Sequence, residues 1–489
     1  MDMPFILMLL AICTPFAMGL VFIFLPRELC KGAACVAGGL NTAFALALWI
    51  LYANMGVDTL EYSLVAIGDC EIIGFVVDYM SVMLTFVFAC VGFLIAIYSI
   101  GYMSPLNREQ PDGPSRRFFC VFMFFMGAMS GVCYSSTVTG QLFFFECSTM
   151  CCWGMVVYYG NFGDMVSDRA AMKALVTTQV ASLGLYIACG VLYWQTGSFA
   201  VTAAAGMSEG MKTLFLCFVI FAAWGKSAQL PLYFWLPPAA VNEPAPGSAY
   251  LHGASMVKIG VTVLARELIS IGEIPEIIGW ILVVGSILTM VYAFLCYLPQ
   301  TDLKQLLAFS TISQLSYIYL AFGFFVFGST MAFQGGLMHI FSHAFAKSLF
   351  FLVAGSFSIT LGTKMIPQIV GVLKKQPFIA VALVCAAMTI AGVPPFSLFF
   401  SKFAIYGGAF EIAWGNGWLM FLVLVGLAEE LAAFIWMLRL TRKMNSGAPN
   451  ALMATATAVP KSVTIALVLL VAATLISGEV SGWWITWMA

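Results

Sequence analysis

Charge is what this sequence has least of. Of 489 residues only 9% are Asp, Glu, Lys or Arg and 62% are hydrophobic, whereas a soluble domain carries about 25% charged residues. Twenty-one Lys and Arg with 22 Asp and Glu cannot coat a chain of this length for water. No basic block stands out from a net charge of −1, which excludes a nucleic-acid binder. The fourteen cysteines contain no C-x-x-C pair and no ferredoxin spacing, and most sit inside apolar runs. Neither an iron–sulfur protein nor a secreted disulfide scaffold fits them; Cys147, Cys151 and Cys152 read as core packing. A P-loop, a dinucleotide-binding glycine motif and a nucleophile elbow are all missing, so ATP, NAD and acyl-transfer chemistry are not expected of this chain. The first apolar run lacks a small-residue cleavage site and reads as a retained helix rather than a signal peptide.

Long hydrophobic runs are what the sequence has instead. A bilayer core of ~30 Å takes about 20 apolar residues per helix. Fourteen runs satisfy that window, beginning near Pro4, Ala33, Met80, Phe118, Leu142, Ala171, Thr213, Gly247, Glu276, Leu303, Met331, Phe378, Gly417 and Val463. They are continuous rather than alternating, which argues against a membrane β-barrel. The fold class read from them is an all-α polytopic membrane protein of about fourteen transmembrane helices. Asn107 to Arg117 and Asn445 to Lys461 are the longest polar stretches.

Loop charge predicts the orientation. Arg27, Lys31, Arg108, Arg116, Arg117, Arg169, Lys173, Lys304, Lys364, Lys374, Lys375, Arg439, Arg442, Lys443 and Lys461 fall on one side, and only Lys212 and Arg266 on the other. The positive-inside rule then puts both termini outside and the larger group in the cytoplasm. Asp58, Glu61, Asp69 and Glu71 fall in one external loop, and Asp164 and Asp168 in a solvated one.

Four lysines remain, Lys226, Lys258, Lys347 and Lys402, and each lies within an apolar run. So do Glu146, Glu429, Glu430 and all three histidines, His252, His339 and His343. A Lys or Asp at a helix centre costs roughly 2.5–3.5 kcal/mol on insertion scales. Four lysines and three glutamates facing lipid would cost on the order of 20 kcal/mol, so they must face one another or water. Spacing agrees: His339, His343 and Lys347 recur every four residues and share a helix face. His252 and Lys258 align more loosely, six residues apart. Single buried histidines are commonly just bonded to nearby backbone, but so many ionisable groups in six spans point to a proton-conducting polar axis. Burial disfavours an ammonium, so an intramembrane lysine can release its proton, and a carboxylate brought beside it holds that proton on. Glu429 and Glu430 fit a structural role as well as a functional one.

Two runs are interrupted beside a lysine. Gln229-Leu230-Pro231 follows Lys226, and Gly392-Val393-Pro394-Pro395 precedes Lys402. Each proline removes a backbone donor and obstructs the preceding turn. Irregular backbone at membrane depth is tolerated only where protein buries it or a cavity runs past it. A simple kink is the plain alternative; broken helices in corresponding halves are the sequence pointer to an inverted-repeat transporter.

Several stretches resemble a known family. These are Phe144-Phe145-Glu146, Trp224 through Pro231, Ala249 through Lys258, Asp302 through Gln314, and His343 through Lys347. They are similar to the antiporter-like membrane subunits of respiratory complex I, Mrp cation/proton antiporters and energy-converting [NiFe] hydrogenases. Asn107-Arg108-Glu109, Phe221 through Lys226, Tyr297 through Gln300 and Ala344 through Gly355 look like component D of hydrogenase 4, the formate-hydrogenlyase type. The resemblance implies two inverted five-helix repeats, helices 4–8 and 9–13, with helices 7 and 12 broken. The matching division is 1–117 for helices 1–3, 118–270 and 271–445 for the repeats, and 446–489 for the last helix. It implies that Glu146 pairs with Lys226, and that His252, Lys258, His339, His343 and Lys347 carry the axis. Lys402 would be the exit lysine and Lys304 would sit near the second half-channel. One departure stands in the loop Leu236 through Pro244, where Pro238 replaces the family's usual acidic residue.

The function implied is a proton-translocating subunit of a multisubunit redox complex in a bacterial or archaeal cytoplasmic membrane. No cofactor or metal is expected in this chain; partner subunits would carry Fe–S clusters and [NiFe], beside other antiporter-like subunits. A Na⁺/H⁺ antiporter subunit of an Mrp-type complex is the transporter-class alternative, and an inert membrane anchor the structural one.

Overall fold

The computed structural model describes residues 2–68, 70–109, 115–158 and 165–488. Asp69 and Asp164 lie outside the described residues. The chain opens with α1 (Met3–Phe24), α2 (Arg27–Met55), β1 (Leu60–Ile67), β2 (Cys70–Val77) and α3 (Tyr79–Tyr102). There follow α4 (Ser115–Tyr134), α5 (Val138–Val156), α6 (Met165–Thr196), α7 (Glu209–Lys226), α8 (Leu236–Asn242), α9 (Ala245–Gly253) and α10 (Met256–Ser270). The remainder is α11 (Glu276–Tyr297), α12 (Leu303–Val326), α13 (Thr330–Leu361), α14 (Val372–Lys375), α15 (Pro377–Ile390), α16 (Ser397–Ala413), α17 (Gly417–Asn445), α18 (Ala451–Ala454) and α19 (Lys461–Met488).

Among the described residues, ten helices are long and apolar enough to cross a membrane: α1, α2, α3, α4, α6, α11, α12, α13, α17 and α19. The four other runs read as spans fall on α5, α7–α8, α9–α10 and α15–α16. Their composition explains the difference. α5 carries Glu146 with Gln141, Ser148 and Thr149, α7 carries Glu209, Lys212 and Lys226, and the last three runs are split into shorter helices. Polar content and interruption thus gather in the same elements.

Those elements are shielded by the apolar ones. α13 is buried along its whole apolar window, α12 nearly so, whereas α17 and α1 bury a third of theirs or less. α13 packs against α3, α9, α12, α15, α16 and α19 and is the centre of the bundle. Its basic face, with His339, His343 and Lys347, is thereby kept from lipid. Outward-facing Leu20, Phe24, Leu288, Leu431 and Ile476 form an apolar exterior, with exposed Trp194, Trp414 and Trp418 near helix ends, where interfacial tryptophans belong.

The acidic loop after α2 is a hairpin, which the search for 20-residue runs could not register. β1 and β2 pair antiparallel from Leu60↔Val77 to Ile67↔Cys70, with a bulge near Val65. Its Val, Ile, Tyr and Phe residues favour a pleated strand. β2 leans on the α4–α5 turn, where Ser136 N–H donates to the Gly74 carbonyl (3.0 Å) and Thr137 Oγ1 to that of Ile72 (3.0 Å). The α6–α7 connection joins the same face through Val138 N–H and the Phe199 carbonyl, 2.9 Å. Asp168, read as part of a loop, lies in the first turn of α6, where a carboxylate suits the helix dipole.

Candidate functional site

Two breaks of the same construction organise the site. α7 ends at Lys226 and is closed by Gln229 N–H to the Trp224 carbonyl (2.9 Å) and Ala228 N–H to that of Gly225 (3.4 Å). α15 ends at Ile390 and is closed by Val393 N–H to Met388 (3.1 Å) and Gly392 N–H to Thr389 (3.0 Å). Both are paired bonds of the Schellman type, which need a left-handed residue just past the helix. Gly392 takes it at φ 65°; at the first break Ala228 does so at φ 50°. Pro231 lies in the gap before α8, and Pro394 and Pro395 in the gap before α16. Side chains take up the freed backbone: Trp235 Nε1 donates to the Gly225 carbonyl (2.9 Å), and Lys402 Nζ to that of Ile390 (2.8 Å).

A third interruption carries no proline. The run holding His252 and Lys258 is two helices, α9 and α10, separated at Ala254-Ser255. Gly253 presses against Ser348 and the Ala344 backbone of α13, leaving no room for a Cβ. Ser255 Oγ donates back to the Tyr250 carbonyl, 2.9 Å. Close helix approach does here what proline does elsewhere.

Lys226 is fully buried. Its ammonium donates to the Phe145 carbonyl (2.9 Å), to Ser148 Oγ (3.2 Å) and to Thr149 Oγ1, and lies 4.3 Å from the Phe145 ring centre. It therefore reaches the turn of α5 that carries Glu146, yet makes no ion pair with that carboxylate. Glu146 is half-buried and its Oε1 has no protein hydrogen-bond partner. The pair read from the resemblance is thus drawn up without being closed. The sulfur of Met256, two residues before Lys258 in α10, lies 3.8 Å from Lys226 Nζ.

The centre is a knot of bases from α9, α10 and α13. His343 has Lys258, His339, Lys347 and His252 within electrostatic reach. All five are buried completely. His252 stacks on Phe351 at 4.3 Å, and His339 on His343 at 5.8 Å. Lys347 bonds to Ser310 Oγ (2.8 Å) and the Leu307 carbonyl (3.1 Å), and His339 Nδ1 to Ser401 Oγ (3.0 Å). Lys258 Nζ, both ring nitrogens of His252 and of His343, and His339 Nε2 have no protein partner. Buried polar groups are ordinarily bonded.

At the second break Lys402 is paired. Its Nζ lies 2.6 Å from Glu430 Oε1 and 4.7 Å from the Tyr317 ring centre. Ser313 Oγ and Tyr317 O–H donate to Glu429, at 3.0 and 2.8 Å, and the Tyr317 hydroxyl also meets Glu430 Oε2. One hydroxyl proton cannot serve two carboxylate oxygens fully, so Tyr317 is shared between the two acids. Sequence reading left Glu429 and Glu430 unassigned and did not single out Tyr317. The available signal was two adjacent acids in one apolar run.

Three basic residues placed in loops by sequence are buried. Lys304 sits in the first turn of α12 behind its Asp302 cap and donates to the Glu243 carbonyl. Burial pushes the Glu243 carboxyl up to about 8 against the pull of Lys304. Lys212 donates to the Ile271 (2.9 Å) and Glu273 (3.1 Å) carbonyls. Arg266 lies within α10 and forms a two-pronged pair with Asp78. Compact helix ends fold these side chains inward, which counting loop charge cannot register. Among the described residues no group of three or more His, Cys, Asp or Glu is placed to hold a metal ion.

Comparison with known proteins identifies the family and the fold. Residues 135–428, more than half the chain, match the family described as NADH:quinone oxidoreductase/Mrp antiporter, transmembrane; residues 66–119 match the complex I chain 5 N-terminus family. The chain is 31% identical to NAD(P)H-quinone oxidoreductase chain 5 of a Picosynechococcus species, over 79% of this chain and 60% of that one. It is 33% identical to the chloroplastic subunit 5 of Sorghum bicolor, over 74% and 49%. The chain thus spans about half to three-fifths of the length of these curated relatives. Its fold matches a chain of the Mrp complex from Dietzia sp. DQ12-45-1b at TM-score 0.84, 19% identity and coverage of 98% and 97%. It matches a chain of an archaeal membrane-bound sulfane sulfur reductase at TM-score 0.85, 22% identity and coverage of 99% and 96%. The chain belongs to the NADH:quinone oxidoreductase/Mrp antiporter transmembrane family.

Proposed function

We propose that this chain translocates protons as an antiporter-like subunit of a multisubunit membrane redox complex. The observation that carries the reading is the set of buried bases running from Lys226 at the first break, through Lys258, His252, Lys347, His343 and His339 at the centre, to Lys402 at the second break, with Glu146 on the helix turn that Lys226 reaches and Glu429–Glu430 beside Lys402. A proton on an interior base has no fixed counter-charge beside it, so closing a lysine–glutamate pair at one end changes the affinity of the next base. Electron transfer in partner subunits would drive that change; this chain breaks no bonds.

The finer reading has fourteen helices in all, helices 4–8 and 9–13 as inverted repeats and both termini outside a bacterial or archaeal cytoplasmic membrane. The like construction of the two breaks supports the repeats. A hydrogenase-4 or related energy-converting [NiFe] hydrogenase rests on the short motifs quoted above. Fe–S clusters and [NiFe] would then belong to peripheral partners. The Mrp-type Na⁺/H⁺ reading draws on one feature, the oxygen-only cluster of Glu429, Glu430, Tyr317 and Ser313, whose donors suit a hard cation.

Gentle extraction and mass spectrometry of the complex separate the two: a [NiFe] large subunit favours the first, small membrane proteins alone the second. In vesicles holding the intact complex, Lys226→Ala and Lys402→Ala should each lower protons moved per redox turnover at least tenfold. Wild-type pumping in both would reduce the chain to an anchor.

A further inference from the structure

One stripe of α17 forms a groove with α15. Ile435, Leu438, Arg439, Arg442 and Asn445 recur at steps of three and four residues and therefore share a face. With Val384 of α15 they line a groove of about 560 Å³. The stripe is graded. Ile435 and Leu438 are apolar and exposed, as is Val384; the two arginines come next, and Asn445 and Ser446 close the helix. From Ile435 to Arg442 is about 10 Å of helix. In the other direction, exposed Leu431 and Leu424 extend the apolar part toward the middle of the span.

Counting loop charge treats Arg439 and Arg442 as loop residues, but α17 continues past both to Asn445 and sets them on the wall of the span. Both are exposed, and among the described residues neither is in an ion pair. Nor does the neighbouring sequence supply an acid: 362–410 and 431–478 contain no Asp or Glu. It supplies more base, since Lys374 and Lys375 end α14, which packs on α15 and α17. Asn445 Nδ2 donates to the Ala380 carbonyl of α15 (3.3 Å), while its Oδ1 is buried without a hydrogen-bond partner. Contact with water accounts for the arginines alone and leaves the apolar floor and the open acceptor unexplained. An acidic protein surface would answer the charge but not the floor, which descends into the span.

We propose that this groove binds an anionic phospholipid, its phosphate held between Arg439 and Arg442 and one acyl chain lying along Val384, Leu438, Ile435 and Leu431. The guanidinium fork matches phosphate oxygens two at a time. Basic pockets between transmembrane helices suit such headgroups, and the order tail, phosphate, polar headgroup follows the grading of the stripe. A headgroup hydroxyl or amine donates to Asn445 Oδ1. The bound lipid bridges α15, which ends at the second break, and α17, which carries Glu429 and Glu430. It thus braces the helix before the break against the helix that bears the partner of Lys402. Binding does not depend on which ion the chain moves.

The test uses the intact complex in vesicles containing phosphatidylglycerol with a photoreactive diazirine in its acyl chain, labelled peptides being read by mass spectrometry. Label is expected on the peptides holding Val384, Ile435 and Leu438, and at least fivefold less of it from the matching phosphatidylcholine probe. Label at Leu288, exposed elsewhere on the apolar exterior, is the internal reference for an intact fold. Relative to that reference, Arg439→Gln with Arg442→Gln should cut the phosphatidylglycerol label at the groove at least fivefold. Lys461→Gln, which removes an exposed charge outside the groove, should leave it unchanged. Equal labelling by the two probes, or full labelling of the double variant, overturns the proposal, because the contact is then unselective. An unlabelled groove overturns it as well, and an acidic peptide of a partner subunit cross-linked to Lys443 would then identify a protein contact in its place.

Discussion

Lys226 and Lys402 stand at two breaks built alike, and their surroundings differ. Lys226 is the last residue before its break, at a helix C-terminus, where a cation suits the dipole. Its partners are a carbonyl and two hydroxyls, and Glu146 stays out of ion-pair contact. Lys402 comes after its break, reaches back to the last carbonyl before it, and is locked to Glu430. The first break therefore holds its acid and base apart while the second holds them together. Coupling between two such sites needs this asymmetry: a proton moves only if opening one pair favours closing the other.

The contrast can be broken at several points. The largest stability effect is expected from Glu430→Ala, which strips a mostly buried ammonium of its partner. A loss of about 2–3 kcal/mol is expected, discounted for the partial exposure of Glu430. Glu146→Ala should cost no more than about 0.5 kcal/mol, because no ion pair is lost. Thermal unfolding of the complex in detergent checks both, and equal losses would erase the distinction. Next is Tyr317→Phe, which removes the hydroxyl between the two carboxylates, for a loss of about 1–2 kcal/mol on the same assay.

The breaks themselves give a smaller, signed comparison. Ala228 bears a left-handed backbone that glycine adopts freely, so Ala228→Gly should stabilise by up to about 1 kcal/mol. Gly392→Ala should destabilise by at least about 1 kcal/mol, because its Cβ would meet Lys402 Cδ at 3.0 Å and Glu430 Oε1 at 3.1 Å. Opposite signs in unfolding temperature are the expected result.

Two carboxyls in loops calibrate the acid–base contacts from outside the spans. Burial raises Glu109, but Lys364 (3.3 Å away), the Ser358 hydroxyl and Lys304 bring it below its ordinary value. Its contribution is present above the usual carboxylate range and is lost as pH falls through its lowered value. Glu243 runs the other way: burial holds it near 8, so stability is lost as pH rises toward and through that value. Wild type minus Glu109→Gln should shrink in acid, and Glu243→Gln should gain on wild type in mild base, each by about 1 kcal/mol or less.

Much of the architecture could be read in advance, and the misses share a cause. Apolar runs mark helices because lipid forces backbone bonds to close within each segment. Pro231, Pro394 and Pro395 mark two breaks because proline's effect is local. The break at Ala254 carries no such mark, since it comes from Gly253 meeting α13 almost a hundred residues away. Glu430 shows no sign in sequence of its partner 28 residues earlier, and Arg266 none of Asp78, 188 residues away. The hairpin was missed because its strands are shorter than any spanning run.

Composition alone therefore settled that this chain lives in a bilayer and that its few intramembrane charges must turn inward, because hydrocarbon charges each polar group separately and locally. Which base meets which acid was decided only by tertiary packing. Partners from α5, α7, α10, α12, α13, α16 and α17 converge through contacts whose sequence separation carries no periodic signal. A helix face can be counted off in steps of four; the helix it faces cannot.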